Sequence, residues 1–348
     1  MHRVLLGACR HAAKNGSRRI DTVHVLMSVF VRVPTIGAML DYPPASTYER
    51  PAPFADRAID PDLAQLAWEE MREAHWRIFG LAGRGASHWD SEVHLAVTRA
   101  LVEAASARRP WAGIDHLLRV FLSDPDCHAH KFLRTKRVDL EQLSRAADLT
   151  WPYGDRERPF YSISNFLEQS GILTDPDRPA RPSSQHRWVR RLTSLIAQAG
   201  PALIGLEQQA MAEAVRLGQK VVGLRHLLLA LLSLEEQMRL TGLRPAAGYE
   251  DANRMVLLDF HLTHRATLNH IRPLIHAADI APRQRRRPWR SSRRHPRWTI
   301  PAARAADSAR PRGGSTELLQ AILTDEDSEA RTILTALHAD PAAILARL

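Results

Sequence analysis

Apolar positions along this chain come in pairs, and the pairs recur four times. A polar anchor (His24, His116, His226 or Glu317) is followed at once by two apolar residues: Val25-Leu26, Leu117-Leu118, Leu227-Leu228 and Leu318-Leu319. Five and six residues after the anchor comes a second pair: Val29-Phe30, Phe121-Leu122, Leu231-Leu232 and Ile322-Leu323. Pairs four residues apart share one face of an α-helix. Upstream, alanine stands twelve residues before every anchor, at Ala12, Ala104, Ala214 and Ala305. Fifteen before, the residue is apolar: Cys9, Leu101, Met211 and Ala302. Sixteen before stand Ala8, Ala100, Ala210 and Pro301. This spacing predicts a second helix whose small side chains let its backbone approach the first closely.

The predicted unit is therefore helix, tight turn, helix. Gly16 and Gly218, eight residues before their anchors, suit a helix C-cap. Thr22 and Ser315 are expected to cap the helix that follows. The second and fourth copies run on in parallel. Asp124-Pro125-Asp126 matches Asp325-Glu326-Asp327, acids that suit a helix N-terminus. Phe132-Leu133 matches Ile333-Leu334, and Asp139 matches Asp340, each the expected N-cap of a last short helix.

The four copies fall into two pairs. We expect a first domain over 1–148, a Pro- and Arg-rich linker over 149–185, and a second domain over 186–348 with an Arg-rich insertion at 281–300. Between the first two copies the pattern predicts a helix from Asp60 to Phe79, with Asp60 as N-cap and Pro61 in the first helical position. Between the last two it predicts one near Asn253 to His276. The fold class expected is all-α, two helical repeats per domain.

Composition changes this picture little. The 348 residues are 45% apolar, enough for sizeable cores, with no apolar run long enough to span a membrane. Leu6-Gly7-Ala8-Cys9 looks like the end of a lipoprotein signal, but too few residues precede Cys9 for a charged and an apolar region. Cys9 and Cys127 imply no disulfide framework, and a cytoplasmic setting is expected. The formal net charge is +10, almost all of the cations being Arg; Lys14, Lys131, Lys136 and Lys220 are the four lysines.

The anchor motif resembles a known family. Gly113-Ile114-Asp115-His116-Leu117-Leu118 and Gly223-Leu224-Arg225-His226-Leu227-Leu228, each behind an Ala-rich helix, are similar to the repeat of the Clp N-terminal domain. Ile20-Asp21-Thr22-Val23-His24-Val25-Leu26 is a shortened copy, and the fourth replaces His by Glu317. The resemblance implies two repeats per domain and a role in receiving clients for proteolysis. No Gly-x-x-x-x-Gly-Lys-Ser/Thr loop accompanies it, so the chain reads as a stand-alone relative without the ATPase modules. In that family the residue before the anchor is acidic, and in some members it helps bind phosphorylated arginine. Here those positions hold Val23, Asp115, Arg225 and Thr316, so only Asp115 keeps a carboxylate able to pair with a guanidinium. Asp115 and Thr22 are thus the candidate peptide or phosphoarginine contacts. A plain N-terminal helix acid is the competing reading of Asp115.

Other candidate chemistry is sparse. The anchor His reads as structural, because Glu317 replaces it without disturbing the pattern. Cys127-His128-Ala129-His130 lacks a second ligand pair for zinc, and His261, His264, His270 and His276 are scattered, so no metal is expected. No Gly-x-Ser-x-Gly or His-Glu-x-x-His motif occurs, and the chain is expected to be neither an enzyme nor a cofactor binder. One exposed signal remains: Arg283, Arg285, Arg286, Arg287, Arg290, Arg293, Arg294 and Arg297 with Trp289, and no acid among them. This tract suits an acidic partner or nucleic acid, with Trp289 and Trp298 as stacking surface. The leading expectation is a non-catalytic protein-binding module, an adaptor or regulator in Clp-linked proteolysis or quality control. The alternative is a nucleic-acid-associated regulator using residues 283–297.

Overall fold

A helix begins where something accepts its first free N–H groups, and the four anchors stand at such beginnings. The computed structural model describes residues 1–38, 60–81, 87–151, 161–177, 200–246, 252–275, 284–285, 295–310, 314–325 and 328–348. They divide into two compact units, Met1–Pro159 and Phe160–Leu348. Both are mostly helical, with a few strands of two or three residues.

The first unit runs α1 (His2–Lys14), β1 (Arg19–Ile20), α2 (Thr22–Arg32), α3 (Pro34–Gly37), α4 (Pro61–Phe79), β2 (His88–Trp89), α5 (Ser91–Ser106), α6 (Ile114–Ser123), α7 (His128–Thr135) and α8 (Leu140–Thr150). The second runs α9 (Ser162–Gln169), β3 (Leu173–Thr174), α10 (Pro201–Arg216), β4 (Val221–Val222), α11 (Leu224–Thr241), β5 (Arg244–Pro245), α12 (Ala252–Asp259), α13 (His264–Ile275), β6 (Gln284–Arg285), β7 (Arg297–Thr299), α14 (Ile300–Ala309), α15 (Ser315–Thr324), α16 (Glu329–Ala336) and α17 (Pro341–Ala346).

Each anchor is the third residue of its helix, in α2, α6, α11 and α15. Every apolar pair that follows an anchor is buried. So are Ala12, Ala104, Ala214 and Ala305, in helices α1, α5, α10 and α14 that pack on the anchor helices. Two positions break the pattern: Leu101 is half-buried and Pro301 is exposed. The turn between the paired helices is a Schellman motif in three copies. Gly16 (φ 64°), Arg108 (φ 53°) and Gly218 (φ 76°) take the left-handed conformation. The next amides, of Ser17, Arg109 and Gln219, donate to the carbonyls of Ala12, Ala104 and Ala214. The alanines thus mark both the close helix crossing and the carbonyl that closes the turn.

The pairing of elements recurs in each unit. α2 packs on α1, α6 and α7; α11 packs on α10, α15 and α16. Residues four and five before the anchor form a short parallel ladder in both: Arg19 with His88 and Ile20 with Trp89, then Val221 with Arg297 and Val222 with Trp298. Trp89 and Trp298 each precede an N-cap, Asp90 of α5 and Thr299 of α14. The added material differs. In the first unit α4 packs on α1 and α5; in the second, α9 packs on α10, where Gly205 leaves room for Ile163 and Leu167, and α13 packs on α11.

Several expectations need correcting. Thr22 and Ser315 are first helical residues; the N-caps are Asp21 and Gly314. Asp124 and Asp325 close the preceding helices, and Cys127 and Ser328 cap α7 and α16. The segment 253–276 is two helices, because His261 turns left-handed (φ 53°) and the Thr263 hydroxyl accepts from Ala266 N–H to begin a new one. Part of the stretch read as linker is built structure: α8 extends to Thr150, and α9 and β3 belong to the second unit, β3 pairing antiparallel with β5. The helix from Asp60 and the caps Asp139 and Asp340 stand as expected.

Candidate functional site

Among the described residues, much of the polar chemistry lies at helix N-termini, and it begins with the anchors. His226 Nδ1 accepts the N–H of Gly223 at 2.8 Å, and His116 Nδ1 accepts that of Gly113 at 3.1 Å. In each case the third residue of the helix reaches back to its N-cap, the reciprocal half of a capping box, which Glu or Gln fills in other proteins. Glu317 sits in that position, its carboxylate against Gly314. Burial drives the His226 imidazole down to about 3, so it stays neutral and its Nδ1 keeps the lone pair that this bond needs. His24 differs: its Nδ1 lies 2.6 Å from the Asp21 carboxylate and its Nε2 3.2 Å from the Ser17 hydroxyl. Burial raises the Asp21 carboxyl, but hydrogen bonds from His24 outweigh it and hold the group below the usual range.

The first unit ties three helix starts together beside His24. The Thr22 hydroxyl donates to Glu92 at 2.9 Å and accepts the N–H of Ala129 at 2.9 Å. Glu92 also accepts the N–H of His128 at 2.9 Å. One hydroxyl and one carboxylate thereby join the N-termini of α2, α5 and α7. In the second unit Glu329, the first residue of α16, does this alone. It accepts the N–H of Arg225 at 3.0 Å and lies 3.6 Å from the Arg225 guanidinium. A Cβ on Gly223 would stand 2.5 Å from the Glu329 carboxylate, so a side chain there would push Glu329 aside.

These facts locate the expected contacts. Asp115 is 4% exposed, its carboxylate 2.9 Å from His116 Nδ1, and Thr22 is fully buried. A ligand at Thr22 would have to displace the bond to the start of α7, and one at Asp115 would have to reach a buried carboxylate already set against His116. Of the Arg tract, Arg297 is exposed on β7, and the backbone of Arg285 pairs with Trp298. Arg283, Arg286, Arg287, Arg290, Arg293, Arg294 and Trp289 lie outside the described residues. Trp298, expected as stacking surface, is 1% exposed and belongs to the core. The Cys127 thiol accepts from His130 N–H, and His130 Nδ1 lies 3.2 Å from the Phe121 carbonyl, so these two residues hold backbone.

Sequence reading missed two clasps in which one imidazole lies between two carboxylates. His264, the first residue of α13, sits 3.3 Å from Glu213 of α10 and 3.5 Å from Glu236 of α11. Glu213 also accepts from Gln209 at 2.7 Å and lies 3.9 Å from Arg216. Burial disfavours both charges, yet their attraction wins: the His264 imidazolium is raised to about 9 and the Glu213 carboxyl lowered to about 2. In the first unit His2 sits 3.2 Å from Glu70 and 3.9 Å from Glu73. The ligand atoms of that trio lie within 4.8 Å of one another, a spacing a divalent cation tolerates. Arg77, 2.6 Å from Glu73, already supplies positive charge there, and the trio is a second point where an imidazole of one helix, α1, meets two carboxylates of another, α4. No local motif announces either clasp, since the partners lie dozens of residues apart.

No family model, curated protein or solved structure matches the chain.

Proposed function

We propose that this chain is a non-catalytic protein-binding module of the Clp N-terminal type, an adaptor or regulator in Clp-linked proteolysis or protein quality control. The observation that carries the reading is the recurrence, in both units, of an anchor that caps its own helix in front of buried apolar pairs. The residues that carry the family resemblance are the residues that hold this frame. Recognition would fall on the surface around it. In the first unit three large apolar side chains face solvent among the described residues: Trp68 on α4, Val31 at the end of α2 (65% exposed) and Leu149 at the end of α8 (83% exposed); α3 packs on α2 and α8.

Isolated surface apolar residues are ordinary, so the reading needs a partner that engages them. Tagged full-length chain, expressed in its native host, should co-purify with a Clp unfoldase subunit or its client proteins. Val31→Glu together with Leu149→Glu should lose them while the protein stays folded. Recovery of neither a Clp component nor a client above background removes the adaptor reading.

A further inference from the structure

The two units end their third repeat helix in the same way and dress it differently. In α7 the N–H of Val138 donates to the Leu133 carbonyl at 3.0 Å, and Arg137 is left-handed (φ 55°). In α16 the N–H of Ala339 donates to the Leu334 carbonyl at 2.9 Å, and His338 is left-handed (φ 61°). Four of the exposed positions of α7 and its cap hold Lys131, Arg134, Lys136 and Arg137; the matching positions of α16 hold Thr332, Thr335, Leu337 and His338. Basic residues do favour a helix C-terminus, but α16 closes identically without them. The fold therefore does not call for these four cations.

All four are exposed and none makes an ion pair among the described residues; Lys136 lies 5.8 Å from the ring centre of half-buried Phe132. Glu92 of α5 meets α7 only at its first residue, His128, and the helices that α7 packs against most, α2 and α6, offer these four no counter-charge. α2 contains no acid, and Asp115, the acid of α6, is buried. Lys131 and Arg134 are neighbours one turn apart, and Lys136 and Arg137 follow at the end of the helix. Protein interfaces are depleted in lysine at their cores, and two of the chain's four lysines are here. Nucleic-acid interfaces are polar and strongly positive, and a half-exposed aromatic beside the cations adds a surface for a base.

We propose that the exposed face of α7 binds the phosphate backbone of nucleic acid, with Lys131, Arg134, Lys136 and Arg137 as phosphate contacts. This site is separate from the tract at 283–297 and does not depend on the adaptor reading.

The test is fluorescence anisotropy of labelled single-stranded and duplex oligonucleotides with the full chain across a salt series. Four phosphate contacts contribute a slope of about −3 in log K against log salt, roughly a 50- to 150-fold loss between about 50 mM and about 200 mM. Lys131→Gln, Arg134→Gln, Lys136→Gln and Arg137→Asn together should remove that slope and weaken low-salt binding at least about tenfold. Neutralising the arginines of 283–297 should leave the α7 contribution in place. Should the quadruple variant not fold, Lys131→Gln and Arg134→Gln singly should each lower the slope by about one. Wild-type affinity and slope in the α7 variants, or no binding by the wild-type chain, overturns the proposal. So does α7-dependent binding of poly-glutamate as tight as that of the oligonucleotides, which would make this a face for acidic polypeptide.

Discussion

The starts of α2 and α11 occupy the same place in their units and are held by different atoms. α2 is tied to α7 by the Thr22 hydroxyl and the Glu92 carboxylate; α11 is tied to α16 by the Glu329 carboxylate. The helices behind these ties are alike, because the buried alanines and apolar pairs are alike. Apolar packing therefore sets the frame, and the polar tie is whichever acceptor can reach the free N–H groups. The same rule lets Glu317 stand where three copies have histidine.

The units should respond separately to substitution, and the largest difference is expected at the ionic clasp. Glu213→Ala removes the buried carboxylate that His264 and Arg216 share. Breaking a buried pair in this way costs about 3–5 kcal/mol. Calorimetry should show the second unit's transition falling while the first unit's stays. The same clasp sets a pH dependence. His264 titrates higher in the folded protein than its ordinary value of 6.5, so its contribution is complete below pH 6.5 and is lost as pH rises through about 9. Glu213 titrates lower than its ordinary 4.5, so its share of the same attraction is complete above pH 4.5 and is lost as pH falls through about 2. The second unit should melt highest between these limits and lose its advantage toward pH 9, and Glu213→Gln should flatten that alkaline decline.

Next in size come the helix crossings. Ala104→Leu and Ala214→Leu overfill equivalent crossings and should each cost about 1–3 kcal/mol, in the first and second unit respectively. An effect on one and none on the other, read from denaturant midpoints, would break the equivalence. Removing an anchor should matter less. His226→Ala leaves the buried Gly223 N–H without its acceptor and should cost about 1–3 kcal/mol. Glu317→Ala, at a less buried position, should cost about 1 kcal/mol or less.

Much of this frame was legible in the chain. The pairs after each anchor and the alanines before it are buried because a helical period needs only local sequence to be read. Gly16 and Gly218 announced their turns, whereas Arg108 takes the same left-handed turn without glycine and gave no sign. The ladders of Ile20 with Trp89 and Val222 with Trp298 are too short to alternate visibly. Trp298 was misread for that reason: its neighbours in sequence are arginines, and only the ladder turns it inward. The clasps of His2 and His264 join residues far apart in the chain, so their partners emerge only when helices pack. Thr22 and Asp115 are conspicuous in sequence, and the structure buries both at helix starts.

Residue-resolved amide hydrogen exchange tests most directly that one frame is built twice. The amides of Ser17, Arg109 and Gln219 close equivalent turns, and those of Gly113 and Gly223 are held by His Nδ1. Slow exchange should recur at the same distances from His24, His116 and His226. Protection in the second unit that falls out of register with the first, or fast exchange at Gly113 and Gly223, would contradict it.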